Sequence, residues 1–209
     1  IGDTMLYHKK VTKEAVNHMV DYFEANNFDY YVESNGGLFA SKNLVKRLER
    51  IIYGDIENDL EARKRWQRKE NHFINALIEG EELRRDDINK ACFLENPNIP
   101  FDDIINEFKN EFNVIHCTVP MFGDDSGELS VPNIHKANAI ETLINHLGID
   151  RKNTYAFGDG MNDKEMLEYV NVGIAVGNAK EGLKAVADEV TDDITNDGIY
   201  NAMKRHNLI

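Results

Sequence analysis

Beyond Pro132 the sequence alternates between helix-like and strand-like segments, and this alternation limits the possible folds more than any other feature. Residues 136–147 have the apolar spacing of a helix that ends at Gly148, and 154–157 is a short apolar run typical of a buried strand. Further helices are predicted at 164–169, 181–186 and 199–206, and further strands at 172–176 and 187–190. Because such alternation builds parallel sheets, this part predicts an α/β fold.

A loop rich in glycine and acidic residues follows the strand at 154–157. Residues 155–163 read Tyr-Ala-Phe-Gly-Asp-Gly-Met-Asn-Asp, and the two glycines permit a sharp turn. Asp159 then lies at the carboxyl end of a strand, where open α/β sheets bind ligands, and Asp163 lies at a helix start, where aspartate caps N–H groups. Together with Asn162 these carboxylates suit a hard cation such as Mg2+. The alternative is an ordinary turn made of typical turn residues.

Residues 11–131 combine strands and helices in mixed order. Predicted helices cover 12–26, 44–52 and 101–112, and predicted strands cover 28–32, 38–40, 91–94, 114–119 and 128–131. The turns between strands favour an antiparallel sheet with helices on one face, which is an α+β domain. The densely charged stretch 56–83 is interpreted as solvated helix faces, because acidic and basic residues are interleaved.

Composition restricts the partners of the chain. A net charge of −13 argues against a nucleic-acid or anionic-membrane surface, which clustered Lys and Arg would form. The sequence has no run of about 18 apolar residues that could span a membrane. Cys92 and Cys117 do not have C-x-x-C spacing, so we expect a reducing, cytoplasmic compartment and no zinc site.

Several segments beyond Pro132 together carry a family resemblance. They are Lys136 at a helix start, 157–163, Lys-Glu-Met-Leu at 164–167, Gly-Ile-Ala-Val-Gly-Asn-Ala at 173–179, Ala-Asp at 187–188 and Asn-Asp-Gly-Ile at 196–199. In this order they resemble the carboxy-terminal half of the haloacid dehalogenase superfamily core, and within it the Cof-type sugar-phosphate phosphatases with a large α/β (type IIB) cap.

The resemblance implies an architecture and an activity. It implies half of a Rossmann-like core over 132–209, an α+β cap over 11–131 and a connection over 1–10. It also implies Mg2+-dependent hydrolysis of a small phosphorylated metabolite, such as a sugar phosphate, through an aspartyl-phosphate intermediate.

The resemblance also implies roles for individual residues. Asp159 would be a direct Mg2+ ligand, and Asp163 a second carboxylate that holds a metal-bound water or the lysine. Asn162 would contact phosphoryl oxygens, and Lys136 would neutralise both the nucleophile and the phosphate. These roles agree with the demand of phosphoryl transfer for charge neutralisation and positioning.

The nucleophile segment of the family, Asp-x-Asp-Gly-Thr, does not occur in the sequence; Asp3-Thr4 has no second aspartate near it. We therefore expect that about 80 residues, two to three β-α units, of the parent protein are absent here. This chain alone would then be inactive, with its own missing core segment as a partner. The alternatives are an inactive phosphate- or metal-binding protein, an interaction module, and a phosphotransferase or mutase on the same core.

Overall fold

The computed structural model describes Met5 and residues 7–209. Residues 1–4 and 6, which include Asp3, Thr4 and half of the predicted connection over 1–10, lie outside the described residues. The chain divides into two compact units, Ile1–Pro132 and Asn133–Ile209. Within the described part, no helix has the length and apolar character needed to cross a bilayer.

The first unit is built on a six-stranded sheet of order β3-β2-β1-β4-β6-β5. Its elements are α1 Lys13–Ala25, β1 Tyr30–Ser34, β2 Gly37–Ala40, α2 Leu44–Tyr53, α3 Leu60–Gln67, α4 His72–Ala76, β3 Leu77–Ile78, β4 Ile88–Phe93, α5 Phe101–Phe108, β5 Asn113–His116 and β6 Gly127–Ser130. Neighbouring strands are antiparallel except β2 and β3, which are parallel. The prediction of a mainly antiparallel α+β unit is confirmed.

Helix α1 follows directly from its sequence. The Thr12 hydroxyl caps it by accepting a hydrogen bond from the Ala15 N–H (3.3 Å), which satisfies one of the free amides of the first turn. Val16, Met19 and Phe23 recur at helical spacing and are fully buried against the sheet. The predicted helix and its cap are therefore confirmed.

The sheet of the first unit is covered on both faces, so the prediction of helices on one face is wrong. Tyr30 and Val32 belong to one apolar cluster with α1 and α5, whereas Tyr31 and Cys92 belong to another with α2 and α4. Successive strand residues point to opposite faces, so these clusters lie on opposite sides. β1 begins with three consecutive buried residues, Tyr30, Tyr31 and Val32, which is typical of a strand that is buried on both sides.

The second unit contains a parallel sheet of order β7-β8-β9, as the alternation predicts. Its elements are α6 Lys136–Leu147, β7 Tyr155–Gly158, α7 Lys164–Tyr169, β8 Val172–Ala175, α8 Glu181–Lys184, β9 Glu189–Val190 and α9 Gly198–Arg205. Single 3-10 turns occur at Arg151–Asn153, Met161–Asp163 and Ile194–Asn196. Among the described strands, β7 pairs with β8 alone and forms one edge of the sheet.

Helix α7 lies against β8 through one close contact. Gly173 of β8 lies under Leu167 of α7, and a methyl group at Gly173 would overlap the Leu167 carbonyl oxygen. Leu167 itself is buried in the apolar cluster of the second unit. This contact fixes the helix that follows the acidic loop, and so it helps to position that loop.

Candidate active site

A pocket of about 360 Å3 lies at the carboxyl ends of β7 and β8 in the second unit. Four polar side chains line it: Lys136 from the first turn of α6, Asp159 and Asp163 from the loop after β7, and Asn178 from the loop after β8. The rest of the lining comes from Phe157, Gly158, Val176, Ile194 and Ile199. The carboxyl ends of parallel strands meet at one edge, which explains why residues from separate loops converge here.

Asp163 is the most constrained side chain of the pocket. It is 4% exposed, and its Oδ1 atom forms an ion pair with the Lys136 ammonium group. Its Oδ2 atom accepts the backbone N–H groups of Asp159 (3.1 Å) and Gly160 (3.3 Å). The carboxylate thus binds the loop to the start of α6.

The expected capping role of Asp163 is wrong. Asp163 does stand at the N-cap position of α7, but its side chain makes no capping hydrogen bond. Both carboxylate oxygens instead accept hydrogen bonds from Lys136 and from two loop amides. The bond from the charged ammonium group is stronger than one from a neutral donor would be.

The electrostatics of the pocket keep Asp163 ionised. Burial alone would raise the pKa of its carboxyl group, but the hydrogen bond from Lys136 and the two backbone donors outweigh burial and lower the pKa. The Lys136 side chain is 51% exposed, so one end of this ion pair remains accessible to solvent. A positive charge held beside an open pocket is suited to bind an anion.

Asp159 differs from Asp163 in being exposed. Its backbone carbonyl accepts the Lys180 N–H (3.0 Å), which ties the end of β7 to the loop after β8. Both aspartates line the pocket, but only Asp163 is buried. An exposed carboxylate at a strand end can bind a cation that retains most of its water ligands.

Gly158 of the acidic loop is required for space, and neither loop glycine adopts a left-handed conformation. Neither Gly158 nor Gly160 has a positive φ angle. A Cβ atom at Gly158 would lie 2.7 Å from the Asp163 Cβ atom, far inside normal contact distance. Gly158 therefore allows the buried carboxylate of Asp163 to approach the strand end, a role that the sequence did not predict.

Asn162 lies apart from the other predicted site residues. It is exposed and is not among the residues that line the pocket, and its Oδ1 atom lies beside Gly160, where an added Cβ would be 2.5 Å away. Its assignment to phosphate stays a prediction.

The asparagine that lines the pocket is Asn178, whose Oδ1 atom accepts the Ile194 N–H (3.1 Å). Its position three residues after β8, at the same sheet edge as Asp159, is the signal that could have identified it.

Comparison with known proteins supports the assignment of the fold. The family model of haloacid dehalogenase-like hydrolases matches residues 1–203. The chain is 27% identical over 221 aligned positions to phosphatase YwpJ of Bacillus subtilis strain 168, covering 96% of this chain and 73% of YwpJ. It is 49% identical over 74 residues to YkrA of the same organism, covering 35% of this chain and 29% of YkrA, so that match spans under a third of its relative.

A solved structure shows the same fold. The haloacid dehalogenase subclass IIB sugar phosphatase BT4131 superposes with a TM-score of 0.67 at 22% identity, covering 100% of this chain and 72% of that one. The expected fold class, with a Rossmann-like α/β part and an α+β part, is confirmed by this likeness, and the expected enzyme class is confirmed at the level of the family. The chain belongs to the haloacid dehalogenase-like hydrolase family.

Proposed function

We propose that this chain carries the phosphate-binding and metal-binding half of a phosphatase site that hydrolyses small phosphorylated metabolites. The observation that carries the proposal is the pocket in which Lys136, Asp159 and Asp163 converge, in a chain of this hydrolase family. A relative named as a phosphatase, and a fold neighbour named as a sugar phosphatase, favour a sugar phosphate or a similar monoester as the substrate class. Both cysteines are free thiols, which favours a reducing compartment, and we propose the cytoplasm.

Each polar residue of the pocket has its own role in binding a phosphate. Lys136 supplies the positive charge, and Asp163 holds its ammonium group beside the pocket. Asn178 offers an amide group at the opposite loop, and Asn162 remains a second candidate for contact with phosphoryl oxygens. Such groups stabilise charge without reorganising during the reaction, which makes them effective in phosphoryl transfer.

The carboxylates of the pocket fit Mg2+, the cofactor that we propose. Asp159 is exposed and free to act as a direct ligand, whereas both oxygens of Asp163 already accept hydrogen bonds. We therefore propose that Asp159 contacts Mg2+ directly and that Asp163 contacts it through a water molecule. The ion, when bound, offsets negative charge on the phosphoryl group.

Hydrolysis through an aspartyl-phosphate also needs a nucleophilic carboxylate. No Asp-x-Asp-Gly-Thr segment occurs in these 209 residues, so the proposal assigns the nucleophile to a core segment outside them. In the described part of the second unit, the side of β7 that faces away from β8 is where an added strand would pair. We propose the first unit as the cap that selects the leaving group.

Binding to the 209-residue chain tests the proposed roles directly. Inorganic phosphate is followed by phosphorus NMR, and Mn2+ serves as a paramagnetic substitute for Mg2+. We expect Asp159→Asn to weaken Mn2+ binding and Lys136→Gln to weaken phosphate binding, each by at least about tenfold. The matched controls Glu165→Gln and Lys164→Gln remove the same charges from neighbouring surface positions and should change neither affinity.

Turnover of a panel of sugar phosphates, measured on the full-length protein with and without Mg2+, tests the reaction. Mg2+-dependent release of phosphate supports the proposal. Binding without turnover would indicate an inactive binding protein, and transfer to an added sugar would indicate a phosphotransferase. If Asp159→Ala leaves metal binding unchanged, the loop after β7 has only a structural role.

A further inference from the structure

The first unit contains a cluster of two thiols and a carboxylate on one face of its sheet. Cys92 lies on β4, Glu128 lies on β6, and Cys117 follows directly after β5. The Sγ atoms of both cysteines and a carboxylate oxygen of Glu128 all lie within 4.8 Å of one another. Both cysteines are free thiols.

Strand register explains why residues far apart in sequence meet here. Cys92 is directly opposite Glu128 in the β4–β6 pair, and Ile115 is directly opposite Glu128 in the β5–β6 pair. Residues two positions apart in an extended chain point to the same face, so Cys117 follows Ile115 onto that face. The Cys117 N–H donates to the Ser126 carbonyl (3.0 Å), which keeps the chain beside β6 past the end of the strand.

The surroundings of the cluster are neither wholly apolar nor fully solvated. Cys92 is 1% exposed, while Cys117 and Glu128 are partly exposed, so small solutes can reach the cluster from one side. The Lys90 ammonium group lies 3.1 Å from Glu128 Oε2. Two thiolates and one carboxylate carry three negative charges, and a divalent cation together with Lys90 would balance them.

The hydrogen bond between the two thiols affects them in opposite ways, and together with burial it raises the pKa of Cys92. The same hydrogen bond, donated by the Cys92 thiol, lowers the pKa of Cys117 to about 6, against the effect of burial and with a further contribution from the Val119 backbone N–H. The deprotonated form of cysteine is the form that binds metals. The Tyr31 hydroxyl lies beside the Cys92 sulfur as an additional polar group.

We propose that Cys92, Cys117 and Glu128 form a site for a thiophilic divalent cation of the Zn2+ class. Two sulfurs bound tetrahedrally at about 2.3 Å from zinc stand about 3.8 Å apart, so the observed spacing needs only small side-chain movements. Three protein ligands leave a fourth position for water or an added ligand. Binding releases thiol protons to solvent and requires no oxidant or reductant.

This site is independent of the proposed phosphatase pocket, which lies in the second unit. The two sites differ in chemistry, because thiolates prefer Zn2+ or Co2+ and all-oxygen carboxylate sites prefer Mg2+. Failure of one proposal therefore leaves the other intact. The site links β4, β6 and the chain after β5, and bound metal would hold these strands together.

Cobalt titration of the reduced, metal-free 209-residue chain tests the site. The chain has only two cysteines, so a thiolate-to-cobalt absorption band in the near ultraviolet reports on this pair alone. We expect a band that saturates at one Co2+ per chain and that Zn2+ abolishes by displacement. Cys117→Ser should remove much of the band, and Glu128→Gln should weaken affinity by more than the roughly tenfold that loss of a supporting group costs.

The matched control is Glu33→Gln, because Glu33 also contacts Lys90 (3.7 Å) but is not part of the cluster. It should leave the cobalt band unchanged. As a measurement that needs no variant, one equivalent of Zn2+ should protect both thiols from a thiol-modifying reagent. The proposal fails if no thiolate band forms, if Zn2+ protects neither thiol, or if Glu33→Gln and Glu128→Gln weaken binding equally.

Discussion

The two units bring functional groups together in different ways. In the second unit, three of the four polar pocket residues lie in loops directly after β7 and β8, at the same edge of a parallel sheet. In the first unit, the thiol cluster combines residues from β4, from β6 and from the segment directly after β5, and the order of these strands along the chain differs from their order in the sheet. A site made of loop residues can be predicted from a local sequence motif, whereas a cluster that spans several strands can be predicted only when the strand register is known.

The two units also differ in how they are packed. The first unit encloses its sheet between two apolar clusters with many buried aromatic rings, while the second has one smaller cluster and a described sheet of three strands. We therefore expect substitutions in the second unit to affect ligand binding most strongly, and those in the first unit to act mainly on stability. Four predictions test this contrast.

The largest effect is expected for Lys136→Gln. In a full-length protein that hydrolyses a phosphate monoester, removing this charge should lower kcat/KM by about 100-fold or more, the scale of losing one group that stabilises transition-state charge. Lys164→Gln removes the same charge from an exposed pair with Glu168 and should change the rate little. Loss of activity in both variants would indicate a general charge effect and not a specific role of Lys136.

The same substitution should also change stability with pH. The pKa of Asp163 is lowered in the folded chain, so its interactions stabilise the second unit above the ordinary carboxyl pKa of about 3.9 and are lost as pH falls through the lowered value. Without Lys136 this loss should begin at a higher pH. Adding Asp163→Asn to Lys136→Gln should remove the pH effect while leaving activity low.

The sequence alone predicted where the site of the second unit lies, but not which contacts hold its side chains in place. Lys136 and Asp159 line one pocket, because a motif at a strand end and a helix start keep their places when the sheet forms. The partners of Asp163 and the place of Asn178 were missed, since both depend on how separate loops converge. The thiol cluster was missed entirely, because Cys92 and Cys117 meet through the positions of β4, β5 and β6 and not through their spacing.

The second prediction concerns the close contact between α7 and β8. Gly173→Ala should destabilise the second unit by about 1–3 kcal/mol, because the added methyl overlaps the rigid backbone carbonyl of Leu167. Gly182→Ala is the control, since its methyl would meet only the flexible Met161 side chain and alanine favours helix α8. Thermal unfolding followed by circular dichroism measures both variants.

The fluorescence of Trp66, the one tryptophan of the chain, reports on the first unit during the same experiment. If the two units unfold independently, Gly173→Ala should lower the midpoint of the Trp66 fluorescence transition much less than the midpoint of the circular-dichroism transition of the second unit. An equal shift of both signals would show that the units unfold together, and the contrast in packing would then not translate into separate stabilities.

The third prediction compares neighbouring tyrosines on opposite faces of β1. The Tyr30 side chain is 1% exposed, and its hydroxyl has no hydrogen-bond partner among the described residues, so Tyr30→Phe should leave stability unchanged or raise it by up to about 1 kcal/mol. Tyr31→Phe removes a hydroxyl that lies beside the Cys92 thiol and should lower stability slightly. Trp66 fluorescence during urea unfolding gives both values, and a clear loss in Tyr30→Phe would contradict the account.

The smallest effect is expected for His18, which joins α1 to the segment formed by α5 and Glu111. Its ring nitrogens lie 2.5 Å from Glu111 and 2.8 Å from Glu107. The hydrogen bond to Glu111, opposed by burial and supported by Glu107, raises the pKa of His18. The protonated histidine should therefore stabilise the first unit below its ordinary pKa of about 6.5, and this contribution should be lost as pH rises through the raised value.

His18→Gln should accordingly cost more stability at pH 5.5 than at pH 9. Because the His18 side chain is 38% exposed, the difference should stay below about 1 kcal/mol. The exposed His72, in the same unit, provides the control His72→Gln, which should show no such dependence. A larger cost for His18→Gln at pH 9 would mean that the neutral ring packed on Phe108, 5.1 Å between ring centres, matters more than its charge.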